Sequence, residues 1–156
     1  MGKKKHTTHE QTALGGAFAL MAALVLGACQ FEVSHNGALD GFWHLTRIDT
    51  LATGGEADLS QQRLFWSFQG KILQIDDKDK RHPGIYMRFD HTTEDKLLLS
   101  EPYLNNRAIG DKKVEDTAPL APYGINALQE SFTVETLKGN RMTLANQTLR
   151  LSFTKF

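Results

Sequence analysis

Cys29 is the only cysteine in the chain, and it stands where an apolar run stops, in the stretch LVLGACQF (residues 24–31). A lone thiol makes no intrachain disulfide and no multi-cysteine zinc site. It is left with burial as a small hydrophobe or use as a covalent handle. Beyond residue 30 the histidines are His35, His44, His82 and His91. None has the spacing of H-E-x-x-H and none pairs with a cysteine, so no metal site is expected. Asp76–Asp79 (DDKD) matches the start of a calcium loop but lacks its central glycine and closing glutamate. A G-x-S-x-G elbow and a phosphate-cradling glycine loop are both absent. The sequon NQT (146–148) falls in a tight turn, where it is a chance match. The expectation is a protein that is not an enzyme and that holds no cofactor.

The side chains suited to chemistry are therefore those of a binding surface. Trp43, Phe65, Trp66, Phe68, Phe89, Phe132 and Phe153 either line a ligand cavity or fill a packed core, and the core is the plainer reading. Arg47 and Arg88 carry guanidinium groups that fit a carboxylate. Strict alternation puts Arg47 on Trp43's face, where it would meet a ligand; a bulge would turn it outward. Tyr103 and Tyr123 would form a lid or simply seal one end of the fold. The binding candidates are Trp43, Arg47, Trp66, Arg88 and Tyr123.

These residues lie on segments with a period of two. The runs are Gly41–Ile48, Arg63–Phe68, Ile72–Ile75, Ile85–Phe89, Lys96–Ser100, Ser131–Leu137, RMTLAN (141–146) and TLRLSF (148–153). Gln69–Lys71 and Lys138–Asn140 read as hairpin turns, and Asp76–Gly84 as a charged, turn-rich connection. Eight short strands with almost no helical periodicity predict an all-β, eight-stranded antiparallel up-and-down barrel or a sandwich. A barrel would remove the sheet edges. Tyr103–Gln129 interrupts the pattern ahead of the last three strands. Loops of this length in compact domains are functional or disordered. Within it, Ala121–Leu128 is apolar enough to dock on the barrel as one helical turn.

Composition agrees with a globular domain: 40% hydrophobic and 23% charged residues, with 18 basic and 18 acidic. Nothing there implies a nucleic-acid partner, which would need a basic face. Lys3–Lys5 precede an apolar run, Ala13–Ala28, of about the length of a signal-peptide core and shorter than a permanent span. Leu26-Gly27-Ala28-Cys29 resembles the lipobox of bacterial lipoproteins. That resemblance implies cleavage before Cys29, diacylation of its thiol and acylation of its new α-amino group. Gln30 follows, and by analogy with lipoprotein sorting the absence of Asp there implies the outer membrane, with the leaflet left open. Residues 1–28 then form the signal peptide and 29–37 a lipidated tether. Its eight residues from Gln30 to Gly37 span at most about 28 Å. Without residues 1–28 the chain has 15 basic and 17 acidic residues.

Gly41-Phe42-Trp43 resembles the G-x-W signature that opens the first strand of lipocalins. With the late PYGI segment (122–125) and the closing hairpin MTLANQTLRLSFTKF (142–156), residues 38–156 resemble the lipocalin-like domains of small Bacteroidetes lipoproteins. The resemblance implies a barrel whose tryptophan plugs the closed end under an arginine of the last strand, for which Arg150 is the candidate. The expected function is a membrane-anchored lipoprotein that binds a small apolar or amphipathic ligand in the cell envelope. The alternative is a structural or accessory lipoprotein with a filled barrel that contacts a partner protein. The expected partners are the bilayer, through acylated Cys29, and a small hydrophobic ligand, with the protein a monomer.

Overall fold

Aromatic and branched residues at every second position build the wall of the molecule. A computed structural model of the chain describes Gly2 and residues 34–156, apart from Arg107 and Ile109. The signal segment, Cys29 and the first part of the tether lie outside the described residues. Ser34–Phe156 is one folded unit. Its strands are β1 (Gly41–Thr50), β2 (Gly55–Asp58), β3 (Leu64–Gln69), β4 (Ile72–Asp77), β5 (Ile85–Thr93), β6 (Lys96–Leu104), β7 (Lys112–Lys113), β8 (Glu130–Lys138), β9 (Arg141–Ala145) and β10 (Leu149–Lys155).

Eight of them close a ring in the order β1-β3-β4-β5-β6-β8-β9-β10, and β10 pairs back onto β1, antiparallel throughout. This is the expected eight-stranded barrel, with the long insertion before the last three strands. Two short strands were not legible: β2 pairs with the second half of β1 beyond β3, and β7 pairs with the end of β6 beyond β8. Both are too brief and too polar to show a period. At one end lie the start of β1, the end of β10 and the tight turns after β3, β5 and β8. The other end, the mouth, carries the β4–β5 loop and the insertion.

Inward side chains form one continuous core that includes Trp43, Leu45, Trp66, Phe68, Leu73, Ile75, Met87, Phe89, Leu97, Leu99, Phe132, Leu144, Leu151 and Phe153. Four register shifts break strict alternation, one near the end of β5 and one each in β1, β6 and β8. In β1 the inward positions pass from Trp43 and Leu45 to Ile48, in β6 from Leu97 and Leu99 to Leu104, and in β8 from Phe132 and Val134 to Leu137. A charged residue faces outward beside each of the shifts in β1, β6 and β8: Arg47, Glu101 and Glu135. All three are ion-paired on the outer wall, with Asp49 and Glu56, with Arg88, and with Arg150 respectively.

Candidate functional site

The closed end is built around Trp43. Its indole is fully buried and its Nε1–H donates to the carbonyl of Leu39, 2.8 Å away. Lys155, which faces Trp43 across the β1–β10 pair, holds its Nζ 4.9 Å from the indole ring centre and donates to the Ala38 carbonyl at 3.0 Å. Gly41 sits at φ +123°, and a Cβ there would come within 2.8 Å of Lys155 Cε. The glycine of the G-x-W motif is thus set by backbone conformation and by the lysine folded across it. The resemblance assigned the covering cation to Arg150. That residue instead lies on the outer wall, where its Nε and Nη2 donate to the two carboxylate oxygens of Glu135 at 2.8 and 3.0 Å. The pair holds the Glu135 carboxyl below its ordinary value, chiefly through the side-chain hydrogen bond from Arg150. The clue missed was parity: Lys155 continues the inward series Leu151, Phe153.

Trp66 occupies the barrel interior, fully buried, with the rings of Phe153, Phe132 and Phe68 centred 5.0, 6.1 and 6.2 Å away. Its Nε1–H has no hydrogen-bond partner among the described residues. These rings project into the space in which a barrel of this size can hold one small ligand.

The insertion covers the mouth. Ala121–Tyr123 form the expected single turn, a 3₁₀ helix, with Leu120, Tyr123 and Ile125 fully buried beside it. On one side Gly124, at φ +80°, lies so close to β1 and β10 that a Cβ would sit 2.6 Å from Leu151 Cδ2 and 3.4 Å from Ile48 Cδ1. On the other, the Tyr123 hydroxyl donates to the Pro83 carbonyl of the β4–β5 loop at 2.9 Å. Burial, with the charges of Asp77 and Asp76, raises the tyrosine hydroxyl's pKa well above its ordinary value. Tyr123 therefore belongs to a plug that bridges the mouth.

The loop that receives it is organised by Asp77. The expected connection Asp76–Gly84 is shorter than its charge suggested, because β4 runs on through Asp76 and Asp77, and both are buried. The Asp77 carboxylate accepts backbone N–H groups from Asp79 (2.9 Å), Arg81 (3.0 Å) and His82 (3.2 Å). Burial alone would raise its pKa, but these donors and the Arg81 charge together hold it below the ordinary value. Among the described residues no group of three or more His, Cys, Asp or Glu side chains is placed to hold a metal ion.

Arg47 points away from the barrel interior. The extra residue at Thr46 rotates it outward onto Asp49 and Glu56, so the face expected from alternation is corrected by the bulge. Arg88 is also on the outside, paired with Glu101 at 2.9 Å. Two shallow hollows flank Glu101 on the outer wall. One, of about 290 Å³, is lined by Ile72, Tyr86, Arg88 and Tyr103; the other, of about 320 Å³, by Pro102, Lys113, Val114 and Leu128. Glu101 itself holds φ +52°, a left-handed conformation that is costly for a residue with a Cβ. No sequence signal marked it. The five binding candidates are thus divided: Trp43 at the closed end, Trp66 in the core, Tyr123 in the mouth, and Arg47 and Arg88 on the outer wall.

Comparison with known proteins converges on the same architecture. A family model described as a lipocalin-like domain matches residues 23–156. A lipocalin-like protein from Bacteroides uniformis superposes with a TM-score of 0.58 at 19% identity, over 77% of this chain and 100% of the other. An uncharacterized protein from Bacteroides eggerthii gives a TM-score of 0.53 at 16% identity, over 76% and 99%. No curated protein matches the chain.

Proposed function

The chain belongs to the lipocalin-like domain family, and from that premise we propose that it is a lipid-anchored accessory lipoprotein of the cell envelope, acting through the outer wall of a filled barrel. The observation that carries this reading is the occupancy of the interior. Trp43, Trp66, Phe68 and Phe132 are buried in one core, and Leu120, Tyr123 and Ile125 close the mouth above it. The outer wall offers what the interior does not: two adjoining hollows with exposed Ile72 and Tyr103 beside the Arg88–Glu101 pair. Folds of this kind are typically non-enzymatic, which suits a role in contact rather than in chemistry. The lipobox at Leu26–Cys29 supplies the anchor and, with Gln30 after it, an outer-membrane address.

A carrier of one small apolar or amphipathic ligand is the second reading, and one observation favours it. The unpartnered Trp66 Nε1–H in the core would suit a ligand's acceptor atom, since an unmet buried donor costs about 1–3 kcal/mol.

The test is native mass spectrometry of the full chain extracted from its own host, together with a photo-crosslinker at Tyr103. The accessory reading expects the mass of the acylated polypeptide alone and one discrete protein adduct. A stoichiometric small molecule without such an adduct would overturn it in favour of the carrier. The anchor has its own test: Cys29→Ser should release the protein from membranes.

A further inference from the structure

We infer that the closed end of the barrel, where the tether enters, is a docking face for anionic lipid headgroups. The inference rests on the lipid-anchor reading above and adds to it the surface that meets the bilayer.

The first observation is where the chain enters the fold. Ser34 and Asn36 are locked to the turn between β3 and β4. Gly70 N–H donates to Ser34 Oγ at 3.0 Å, and Asn36 Nδ2 donates to the Gly70 carbonyl at 2.8 Å. Asp40 accepts from Ser34 Oγ at 2.6 Å and from Asn36 Nδ2 at 2.8 Å. Five residue steps separate Cys29 from Ser34, a reach of at most about 18 Å. An anchor at Cys29 thus holds the end of the barrel formed by the turns after β3, β5 and β8 nearest the lipid.

The second observation is the charge on that end. Every one of those turns carries an exposed cation: Lys71 after β3, Lys96 after β5, and Lys138 and Arg141 around the turn after β8. None of the four has an ion-pair partner among the described residues. Toward the mouth and on the outer wall the pattern reverses, for Arg47, Arg63, Lys78, Lys80, Arg81, Arg88 and Arg150 are all ion-paired. Among the described residues there, only Lys112 and Lys113 share the unpaired state. Among the described residues the acids at the tether end are Asp90, Glu94 and Asp95 on and beside one turn, and Asp40, which is committed to Ser34 and Asn36.

Ion pairs elsewhere and open cations at the tethered end are the arrangement that places attraction where the lipid lies. A negative headgroup layer draws basic residues held within a Debye length, about 8 Å at physiological ionic strength. The side-chain reach of four lysines and arginines on three turns suits a flat array of phosphates better than one deep anion site.

The acylated full-length protein, reconstituted in vesicles, tests this. Amide exchange is compared between vesicles of phosphatidylcholine alone and of phosphatidylcholine with phosphatidylglycerol. The inference expects several-fold slower exchange at 70–72, 95–97 and 138–141 on the anionic vesicles only. The slowing should vanish in the variant Lys71→Glu, Lys96→Glu, Lys138→Glu, Arg141→Glu, which remains anchored, and in high salt. Vesicle-bound protein with equal exchange on both lipids overturns the docking face and leaves the anchor standing. If Cys29→Ser binds vesicles as well as the acylated chain does, the anchor reading is wrong and the inference falls with it.

Discussion

Lys155 and Trp43 face each other across the seam that closes the barrel, with the lysine Nζ 4.9 Å from the indole ring centre. The same lysine carries its Cε over Gly41 and hydrogen-bonds Ala38. One side chain therefore covers the plugging tryptophan, fixes the entry of the first strand and accounts for the motif glycine.

Lys155→Met keeps most of the stem and removes the charge. We expect a loss of about 1 kcal/mol of stability, the scale of a partly shielded cation–π contact. Trp43→Ala, which empties the closed end, should cost about 3–5 kcal/mol. Urea unfolding followed by tryptophan fluorescence measures both.

Gly41→Ala should destabilise by about 1–3 kcal/mol, combining positive φ with the approach to Lys155 Cε. The steric part disappears if Lys155 is shortened. In a double-mutant cycle with Lys155→Ala, the cost of Gly41→Ala should therefore fall to its backbone share; full additivity would show that the lysine is not what the Cβ meets.

Asp77 makes stability depend on acid. Its folded pKa lies below the ordinary value of about 3.9. Its contribution is present in full above that ordinary value and is lost as pH falls through the folded value. Asp77→Asn replaces an acceptor by an amide donor facing backbone N–H groups, and should cost about 2 kcal/mol at neutral pH. The variant should also show a flatter stability profile below about pH 4 than the parent, measured by thermal unfolding across that range.

Gly124→Ala drives a methyl into Leu151 and Ile48 in a conformation that alanine rarely adopts. The plug should lift while the barrel wall persists. We expect faster amide exchange in residues 120–125 and a gain in binding of an apolar fluorescent dye, with far-UV circular dichroism unchanged. If protection at 120–125 is retained, Gly124 is not what seats the plug.

Glu101 tests the bulge beside the outer hollows. Glu101→Gly relieves a left-handed backbone and gives up an exposed ion pair worth about 0–1 kcal/mol, so its unfolding midpoint should stay close to the parent's. Glu101→Val puts a β-branched residue at the same φ and should lose about 1–2 kcal/mol.

Alternation and turn chemistry made the barrel legible in advance. Strands such as Ile85–Phe89 bury every second residue, and that period is written in the chain itself. The docking of Ala121–Tyr123 was readable for a similar reason, since an apolar turn beside an open barrel end has one place to bury itself. The direction of Arg47, the left-handed turn at Glu101 and the cation over Trp43 were not readable. A one-residue shift in pairing reverses every later side chain on a strand, and pairing is a property of two strands distant in sequence. Arg47 faces out because Thr46 has no counterpart in β10, and Lys155 covers Trp43 because closure brings residues 43 and 155 into register. Local pattern determined which eight segments became the strands of the barrel. Only the tertiary structure decided which side chains entered the barrel, because that depends on register, and with it which rings surround Trp66 in the interior.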